Sequence, residues 1–334
     1  MRDRTLTGGP GYDGRVAETL GELAGIDALA NDFPSLLAAR RSEADRALKD
    51  WLGRVTVDAP PPLVEAMRYS LLAPGKRLRP ALVMFACEAS GGSTEQAVPA
   101  ACAVEMVHAY SLIHDDLPAM DDDDLRRGLP TSHKKFGEAL AILAGDALLT
   151  AAFQVLAEGC LSRTAAVSCA ELAAGAGSAG MVGGQMLDLA ADGRIPASDA
   201  PADLVGLEDV HRKKTGALFQ SCLRLGLYAA QGEQPGGPDP AVKAALDRFG
   251  RAFGLAFQIA DDLLDVQGSS AMAGKRVGKD AARGKLTFPG LLGIDASRRR
   301  SNDLYDEAVA ALEGLGPPAR PLADLATYVT DRDR

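Results

Sequence analysis

Apolar residues recur every three to four positions through most of the chain, in segments separated by short breaks that contain glycine and proline. The first such segment begins at Phe33, and its apolar stripe consists of Leu36, Leu37, Ala44, Leu48 and Leu52. This spacing places side chains on one face of a helix, whereas a half-buried strand needs strict alternation. We find no alternation of that kind in the sequence, and we therefore predict an all-α protein.

The breaks divide the chain into about ten predicted helices. One begins near Leu63, the next begins at or just before Pro80, and a third runs over residues 98–117. The segment 140–156 is apolar nearly all round, so we expect it to form a central helix. We predict a single domain over residues 31–334, and we expect residues 1–30, which lack periodicity, to be a poorly ordered extension.

Composition favours a helical protein of the cytoplasm. Apolar residues make up 47% of the chain and aromatic residues only 5%, as closely packed Ala-rich helices require. The net charge of −9 argues against a nucleic-acid-binding surface. The five cysteines form no CxxC pair, which is typical of a reducing compartment. The most apolar stretch carries Asp146 and the N-terminus lacks an apolar signal-peptide core, so we expect no integral membrane segment.

The densest charge lies in HDDLPAMDDDDLRRG, residues 114–128, where a basic pair, Arg126 and Arg127, follows six aspartates. The aspartates are Asp115, Asp116, Asp121, Asp122, Asp123 and Asp124. An isolated acidic run is usually a solvated loop. This one interrupts an apolar helical segment, and so much negative charge in one place requires water or a cation. Both interpretations stay open at this point.

One face of the preceding predicted helix leads directly into this cluster. Four residues at i, i+3, i+4 and i+7 share that face: His108, Ser111, Leu112 and Asp115. A helical histidine is often an ordinary core residue, but its alignment with the aspartates gives a functional interpretation similar weight. Pro118 is expected to end or bend the helix and to return Asp121 toward the first aspartate pair.

Three further segments carry candidate polar groups. Lys76 and Arg79 lie in the loop before Pro80, and in a first helical turn they would face the same way. Cations and free amides at a helix start suit a phosphate, although ordinary surface cations show the same pattern. GGQMLDL places two polar residues in a helix whose glycines allow close contact, and KKTG marks a change from polar to apolar sequence. These candidates are Gln185, Asp188, Lys214 and Thr215.

A second acidic cluster decides between the two interpretations of the first. Four of its residues stand at i, i+3, i+4 and i+7 on one predicted helical face: Gln258, Asp261, Asp262 and Asp265. An apolar stripe lies beside them, so these carboxylates are expected to need cation partners. Lys275, Lys279 and Lys285 follow. Neither cluster has the ligand pattern of an EF-hand. Two carboxylate sets with cations nearby indicate a diphosphate site bridged by Mg²⁺.

At these residues the chain resembles the trans-isoprenyl diphosphate synthases, from about Ser42 onward. DDLPAMD resembles the first aspartate-rich motif of that family in its bacterial form, and DDLLD resembles the second. GKRLRP, the histidine before the first motif, GGQMLDL, KKTG and the Gly-Lys run also match, in family order. The resemblance implies a helical bundle around a deep central cavity, usually in a homodimer, and closest to bacterial short-chain farnesyl diphosphate synthases.

The resemblance also implies roles. Asp115, Asp121 and Asp261 would ligate three Mg²⁺ ions, supported by Asp116, Asp122, Asp262 and Asp265. Arg126, Lys214, Lys275 and Lys285 would hold the allylic diphosphate. Lys76, Arg79, His108 and Arg127 would bind isopentenyl diphosphate. Thr215, Gln185 and Gln258 would line the reacting region. GKRVGKD, the loop that contains Lys275, is one residue longer than the corresponding loop of some relatives.

The product is expected to be farnesyl diphosphate, made by ionisation, condensation and elimination. The growing chain would run beside the helix of Asp115, where Tyr110 and Ser111 occupy the positions that shape the floor in the family. An aromatic residue at Tyr110 resembles the enzymes that make the C15 product, and the C20 product is the alternative. A class I terpene cyclase would share the first motif, but it is expected to lack DDLLD and GKRLRP.

Overall fold

The computed structural model describes residues 32–197, 200–267 and 285–330. Contacts divide the chain into two units, Met1–Ala39 and Arg40–Arg334. Only residues 32–39 of the first unit are described, and the account below concerns the second. The predicted extension 1–30 lies outside the described residues, so its domain boundary stays a prediction.

The described part of the chain is helical, which confirms the predicted all-α class. It contains fourteen α-helices, more than the ten expected, because several are short. They are α1 Phe33–Val55, α2 Pro61–Leu71, α3 Leu78–Ala89, α4 Thr94–Asp115, α5 Ser132–Phe136, α6 Glu138–Gly159, α7 Ser162–Ala176, α8 Met181–Ala191, α9 Leu204–His211, α10 Ala217–Gln231, α11 Pro240–Gln267, α12 Phe288–Leu292, α13 Ile294–Ala311 and α14 Arg320–Thr330. A π-helical turn, Arg212–Gly216, joins α9 to α10.

Helix α4 lies at the centre of the bundle, packed against α3, α6 and α10. Its N-terminus is closed by a capping box, in which Gln96 accepts a hydrogen bond from the Ser93 amide and Ser93 caps the first turn. Such a box satisfies two amides that the helix cannot. Most of its side chains are buried small or aliphatic residues. The first acidic cluster therefore emerges from the core of the protein.

Helix α6 corresponds to the segment that the sequence predicted to be central. Ala141, Ala144 and Leu148 on one face are fully buried, but Ile142 is 42% exposed and Leu143 is 55% exposed. The prediction is therefore wrong for the second face, because a helix that is apolar all round is buried only where neighbouring helices cover it. Helix α6 therefore has an apolar surface that the described parts of the chain leave exposed.

A short β-hairpin follows the first acidic cluster, and the sequence did not predict it. Leu125–Arg126 pairs with Leu129–Pro130 in antiparallel register. The two residues of its turn, Arg127 and Gly128, both have positive φ, at 54° and 77°. Positive φ at both central residues is the requirement of a type I′ turn, one of the two turn types whose twist matches that of the strands. The hairpin thereby sends consecutive arginine side chains in different directions.

Two helical stretches are long and apolar enough to cross a membrane by length and composition alone, Glu138–Gly159 and Ser162–Ala191. Core helices of water-exposed bundles meet the same test, and residues 177–180 interrupt the second stretch. All five cysteines lie in the described ranges and are free.

Candidate active site

The first acidic cluster folds back on the helix that carries it. After α4 ends at Asp115, the Asp121 amide donates to the Asp115 carbonyl at 2.7 Å and the Asp123 amide donates to the Asp116 carbonyl at 3.2 Å. The return of Asp121 that the proline predicted is confirmed. The chain reverses through Asp122, whose φ is 49°. Two aspartates six positions apart are thus held at one end of the central helix.

The carboxyl group of Asp115 has a raised pKa. Burial raises the pKa of its carboxyl to about 6, with Asp121 and Asp116 adding to the shift while Lys214 and Arg126 oppose it. A carboxylate in this position is stabilised by any further positive charge. A cation bound beside Asp115 would therefore stabilise the ionised form of its carboxyl group.

Asp116 is paired within the protein. It is 3% exposed and accepts hydrogen bonds from Arg126 Nε at 2.8 Å and Arg126 Nη2 at 2.6 Å. This two-pronged geometry is the strongest form of a carboxylate–guanidinium contact. The structure thus joins two residues to which the sequence assigned separate tasks, metal support and diphosphate binding.

The last two aspartates of the run contact residues that follow the hairpin. Asp124 forms an exposed ion pair with Lys134 at 2.8 Å, and Thr131 donates its hydroxyl to the Asp123 carbonyl at 2.7 Å. Exposed pairs of this kind contribute little stability. Neither residue had a predicted role, and these contacts connect the cluster to the start of α5.

Arg79 on α3 lies against His108 on the central helix α4. Arg79 Nη1 lies 3.3 Å from His108 Nε2, and the Arg79 guanidinium lies 4.9 Å from the ring centroid of Phe219. Burial lowers the pKa of His108 well below its ordinary value, and the neighbouring arginines, Arg79 first, lower it further. A neutral histidine can accept a hydrogen bond from Arg79. The structure therefore brings together two of the four residues predicted to bind isopentenyl diphosphate.

The other two residues of that set meet at the loop before α3: Lys76 belongs to the loop, and Arg127 reaches it from the turn of the hairpin. Lys76 is exposed, and Arg127 Nη1 donates to the Pro74 carbonyl at 2.7 Å. The expectation that Lys76 shares a helical turn with Arg79 is wrong, because α3 begins only at Leu78. A Cβ at Gly75 would collide with the Arg127 guanidinium. Glycine at that position is what lets the arginine lie over the loop.

A narrow cavity of about 50 Å³ lies between α4 and the hairpin. Its lining includes Arg77, His108, Asp116, Arg126 and Arg127. Pockets that bind small ligands usually measure about 300–1,000 Å³. A diphosphate would therefore enter here only after a side chain moved, and Arg127 is the lining residue held by a single carbonyl contact.

Arg77 is the residue that the sequence interpretation passed over. It directly precedes α3, has φ 49° and is 5% exposed. Its guanidinium donates to Glu105 at 2.7 Å, to Asp45 at 2.8 Å and to the Leu71 and Ala73 carbonyls at 3.0 Å each. Although burial lowers the pKa of Arg77, the two carboxylates outweigh it and raise it. Glu105, an acid in the apolar stretch of α4, was the available signal for a buried cation.

The second acidic cluster lies on the long helix α11. Phe253 and Ala260 on its inner stripe are buried, while Asp261 is exposed and Asp265 is partly exposed. Asp262 is 8% exposed and accepts a hydrogen bond from the Phe288 amide at 2.9 Å. The predicted half-buried helix is confirmed. Its three carboxylates, however, lie in three different environments.

The π-helical turn connects this cluster with α8. Thr215 donates its hydroxyl to Gln258 Oε1. Lys214 Nζ binds Asp188 at 2.6 Å, and Lys285 Nζ lies 3.5 Å from the same carboxylate oxygen. Burial raises the pKa of Asp188, but the two lysines outweigh burial and hold it below the ordinary value. Asp188, proposed from sequence only as a buried polar group, thus organises both cations.

Close approach of α8 to the π-helical turn depends on a glycine. A Cβ at Gly184 would collide with the backbone of Lys214, which confirms that the glycines of this helix permit close contact. The next residue, Gln185, has both amide atoms buried with no hydrogen-bond partner among the described residues. Buried polar groups are normally paired. Gln185 therefore offers a donor and an acceptor to a ligand.

Two residues near the end of α8 were not predicted to belong to the site. Arg194 Nη1 lies 3.8 Å from Asp121 and donates to the Met120 carbonyl. Burial raises the pKa of Asp192, and Asp188 adds to that shift. No motif marks either residue. Only the packing of α8 against the turn after α4 places them there.

Tyr110 and Ser111 lie on α4, one turn before the cluster. Tyr110 is 6% exposed, and its ring meets that of His114 edge-on at 5.7 Å. Ser111 donates its hydroxyl to the His108 carbonyl at 2.9 Å. Lys275 and Lys279 lie outside the described residues, so the predicted contact of Lys275 stays a prediction.

No three carboxylate, histidine or cysteine side chains within residues 32–197, 200–267 and 285–330 form a ready-made metal cage. Mg²⁺ commonly takes only one or two protein carboxylates and completes its shell with water and substrate phosphate. The raised pKa of Asp115 and the partial exposure of Asp121 and Asp265 fit that mode of binding.

The sequence is similar to those of known proteins. Residues 60–313 match the family model described as polyprenyl synthetase. The chain is 46% identical to farnesyl diphosphate synthase of Escherichia coli (strain K12), over 91% of this chain and 100% of that protein. It is 45% identical to a chloroplastic geranylgeranyl pyrophosphate synthase of Catharanthus roseus, over 90% of this chain and 82% of that protein.

The fold is also similar to those of solved structures. The fold matches an apo FPP/GFPP synthase from Zymomonas mobilis with a TM-score of 0.77 at 38% identity, covering 90% of this chain and 99% of the other. It matches a geranyltransferase from Legionella pneumophila with a TM-score of 0.79 at 31% identity, covering 91% and 98%. The resemblance drawn from the motifs is confirmed: the chain belongs to the polyprenyl synthetase family and is a prenyltransferase.

Proposed function

We propose that the protein condenses isopentenyl diphosphate with dimethylallyl or geranyl diphosphate, in a Mg²⁺-dependent head-to-tail reaction that yields farnesyl diphosphate. The observation that carries this proposal is the pair of carboxylate clusters, each with lysine or arginine side chains beside it. Asp115 and Asp121 are held together by the folded-back loop, and Asp261 and Asp265 lie on one face of α11.

The carboxylates proposed to ligate the metal are Asp115, Asp121 and Asp261, supported by Asp122 and Asp265. Oxygen donors of this kind suit Mg²⁺. Three Mg²⁺ ions held by these residues would supply positive charge against the charge that develops on the leaving diphosphate. Asp116 and Asp262, whose carboxylates are engaged inside the protein, would hold the clusters in shape.

The cations on the other side of the allylic diphosphate would be Lys214 and Lys285, with Arg126 on the hairpin and Lys275 beyond the described residues. Asp188 holds Lys214 and Lys285 side by side. Two ammonium groups on one carboxylate leave an excess of positive charge. That excess suits an anion, and it would stabilise the leaving group as the carbon–oxygen bond breaks.

Isopentenyl diphosphate would bind to Lys76, Arg79, His108 and Arg127. The neutral state of His108, implied by its lowered pKa, lets it receive a hydrogen bond from Arg79 and keep that guanidinium in place. The double bond of isopentenyl diphosphate would then attack the allylic cation. A proton would leave to the released diphosphate.

The allylic cation needs a lining that is polar without being nucleophilic. The Thr215 hydroxyl and Gln258 carbonyl are hydrogen-bonded to each other, and Gln185 has an unpartnered amide. Amide and hydroxyl oxygens present dipoles to a cation and do not trap it as a carboxylate would. These three residues would therefore steady the reacting carbon.

The C15 product is supported by Tyr110, which is buried on α4 close to Asp115. A bulky ring at that position would stop chain growth after two additions to dimethylallyl diphosphate. Geranylgeranyl diphosphate is the alternative, and the plant relative named as a geranylgeranyl pyrophosphate synthase is nearly as similar as the bacterial farnesyl enzyme.

We also propose a homodimer that works in the cytoplasm. The uncovered apolar face of α6, with Ile142 and Leu143, is suited to a second copy of the chain, because exposed apolar patches mark association surfaces. Five free cysteines fit a reducing compartment.

The deciding experiment is incubation of the purified protein with isopentenyl diphosphate, Mg²⁺ and each allylic starter in turn. The dephosphorylated products are then separated by chromatography. Farnesol as the main product from dimethylallyl and geranyl starters is expected. Geranylgeraniol as the main product would favour the alternative, and absence of any longer prenyl alcohol would overturn the proposed activity.

A further inference from the structure

Three buried residues from separate elements meet behind the second acidic cluster. His211 ends α9, Asp262 lies on α11, and Phe288 begins α12. Phe288 is fully buried, and the other two are 8% exposed each. Only Asp262 has a role implied by the family motif.

The Asp262 carboxylate accepts a hydrogen bond from the backbone. Its Oδ2 accepts the Phe288 amide at 2.9 Å. That amide is one of the first in α12 and has no partner within its own helix. The amide therefore stays satisfied only as long as Asp262 keeps its position, and Asp262 joins α11 to the start of α12.

His211 fixes the other side of Phe288. The two rings are stacked, with centroids 5.7 Å apart and planes at 15°. His211 Nε2 lies 3.6 Å from Asp262 Oδ2, which is beyond hydrogen-bond distance, and it has no partner among the described residues. The ring rather than its nitrogen makes the contact that holds Phe288.

These contacts control groups that belong to the proposed site. Asp262 directly follows Asp261. Phe288 lies three residues after Lys285, which lies 3.5 Å from Asp188. His211 directly precedes the π-helical turn that carries Lys214. One buried cluster thus sets the relative positions of a carboxylate and two cations that face the same diphosphate.

We propose that Asp262 and His211 are positioning residues, and that Asp262 acts as an anchor for the Phe288 amide rather than as a metal ligand. This inference rests on the proposed function. The Asp262 carboxylate holds α12 against α11, His211 clamps the Phe288 ring, and Lys285 and Asp261 are thereby placed together.

The kinetic test compares Asp262→Asn with Asp261→Asn in the full chain. An asparagine oxygen still accepts the Phe288 amide, so Asp262→Asn should keep turnover within about fivefold and its half-saturating Mg²⁺ concentration within about twofold. Asp261→Asn should lose at least about a hundredfold in turnover. If Asp262→Asn raises the Mg²⁺ requirement about tenfold or more, Asp262 is a ligand and the inference is overturned.

Asp262→Ala separates positioning from general damage. It removes the anchor, so turnover should fall about a hundredfold, and the KM for isopentenyl diphosphate should stay within about twofold because Arg79 and His108 lie on other helices. A rise in that KM of about tenfold or more would show damage throughout the site and would contradict a local anchor.

A readout that needs neither metal nor turnover is hydrogen exchange at the Phe288 amide, measured by mass spectrometry on the metal-free protein. Asp262→Ala and His211→Ala should speed exchange at least about tenfold. Asp262→Asn and His211→Phe, which keep the acceptor and the stacked ring, should stay within about threefold. Unchanged exchange in Asp262→Ala would overturn the anchor, and fast exchange in His211→Phe would overturn the role given to the ring.

The two proposals fail in different ways. A wild-type protein without prenyl transfer would overturn the proposed function, and the exchange experiment would still test the anchor. A wild-type protein with full activity and an Mg²⁺-sensitive Asp262→Asn variant would overturn only the anchor.

Discussion

The two acidic clusters present carboxylates in different ways. The first is a loop folded back on α4 by backbone hydrogen bonds, whereas the second is one face of the regular helix α11. Both contain an adjacent aspartate pair whose second member is buried, Asp116 at 3% and Asp262 at 8% exposure. The partner differs: a guanidinium for Asp116 and a backbone amide for Asp262.

That difference has an energetic consequence. Removing one member of a buried ion pair leaves a charge without its counter-ion, which costs more than loss of a neutral hydrogen bond. The first cluster should therefore depend on the charge of its buried aspartate, and the second only on an oxygen in the right place. The first aspartate of each pair, Asp115 or Asp261, is the proposed metal ligand.

The largest expected effect is on turnover. Asp115→Ala and Asp261→Ala should each lower kcat by about a thousandfold, because each removes a proposed metal ligand that acts in the transition state. Thermal unfolding should show that both variants remain folded. Asp124→Ala is the matched control, since Asp124 pairs with an exposed lysine, and its kcat should stay within about twofold. A normal rate in either test variant would remove that cluster from the chemistry.

The next effect concerns stability. Asp116→Asn should lower the free energy of unfolding by about 2 kcal/mol, because Arg126 loses its counter-ion, whereas Asp262→Asn should cost less than about 1 kcal/mol. Denaturant titration of both variants at neutral pH measures the difference. Equal losses would show that the kind of partner does not distinguish the clusters.

Product length should depend on the helix of the first cluster alone. Tyr110→Ala removes a buried ring and should move the main product from C15 toward C20, measured by chromatography after dephosphorylation. Losing such a side chain also costs about 3–5 kcal/mol of stability, so the assay should run well below the melting temperature. Tyr110→Phe keeps the ring and should retain the C15 product. The same product profile in all three proteins would contradict the floor.

The smallest expected effect is a pH dependence of stability that comes from His108 on α4. Burial, and then Arg79, depresses the pKa of His108 in the folded protein. The unfolded chain therefore binds an extra proton as the pH falls below about 6.5, and stability decreases there by up to about 1.4 kcal/mol per pH unit. His108→Asn should show a flatter loss between pH 7.5 and 5.5 in denaturant titrations. Parallel curves for the two proteins would show that His108 is not held neutral.

Local rules account for the parts of the site that sequence predicted well. Pro118 predicted the end of α4 and the return of Asp121, because proline cannot continue a helix. The spacing of Asp261 and Asp265 predicted one helical face, because helical periodicity is a property of the backbone. The all-α class and the glycine contact at Gly184 followed from similar arguments.

Arg77 shows where such rules stop. Its two carboxylate partners, Asp45 and Glu105, come from parts of the chain that are distant from Arg77 in the sequence. Nothing in the local sequence distinguishes a buried arginine from the exposed Lys76 beside it. The uncovered face of α6 is a second such case, since periodicity shows that a face is apolar but not what covers it.

The sequence by itself determined the helices, the two carboxylate clusters and the family, because these depend on spacing within short segments. Only the tertiary structure decided which carboxylates are buried against Arg126 and the Phe288 amide. Asp116 and Asp262 are equivalent to their neighbours Asp115 and Asp261 in the sequence. They differ because Arg126 and Phe288, brought in by other elements, supply the partners that buried carboxylates require.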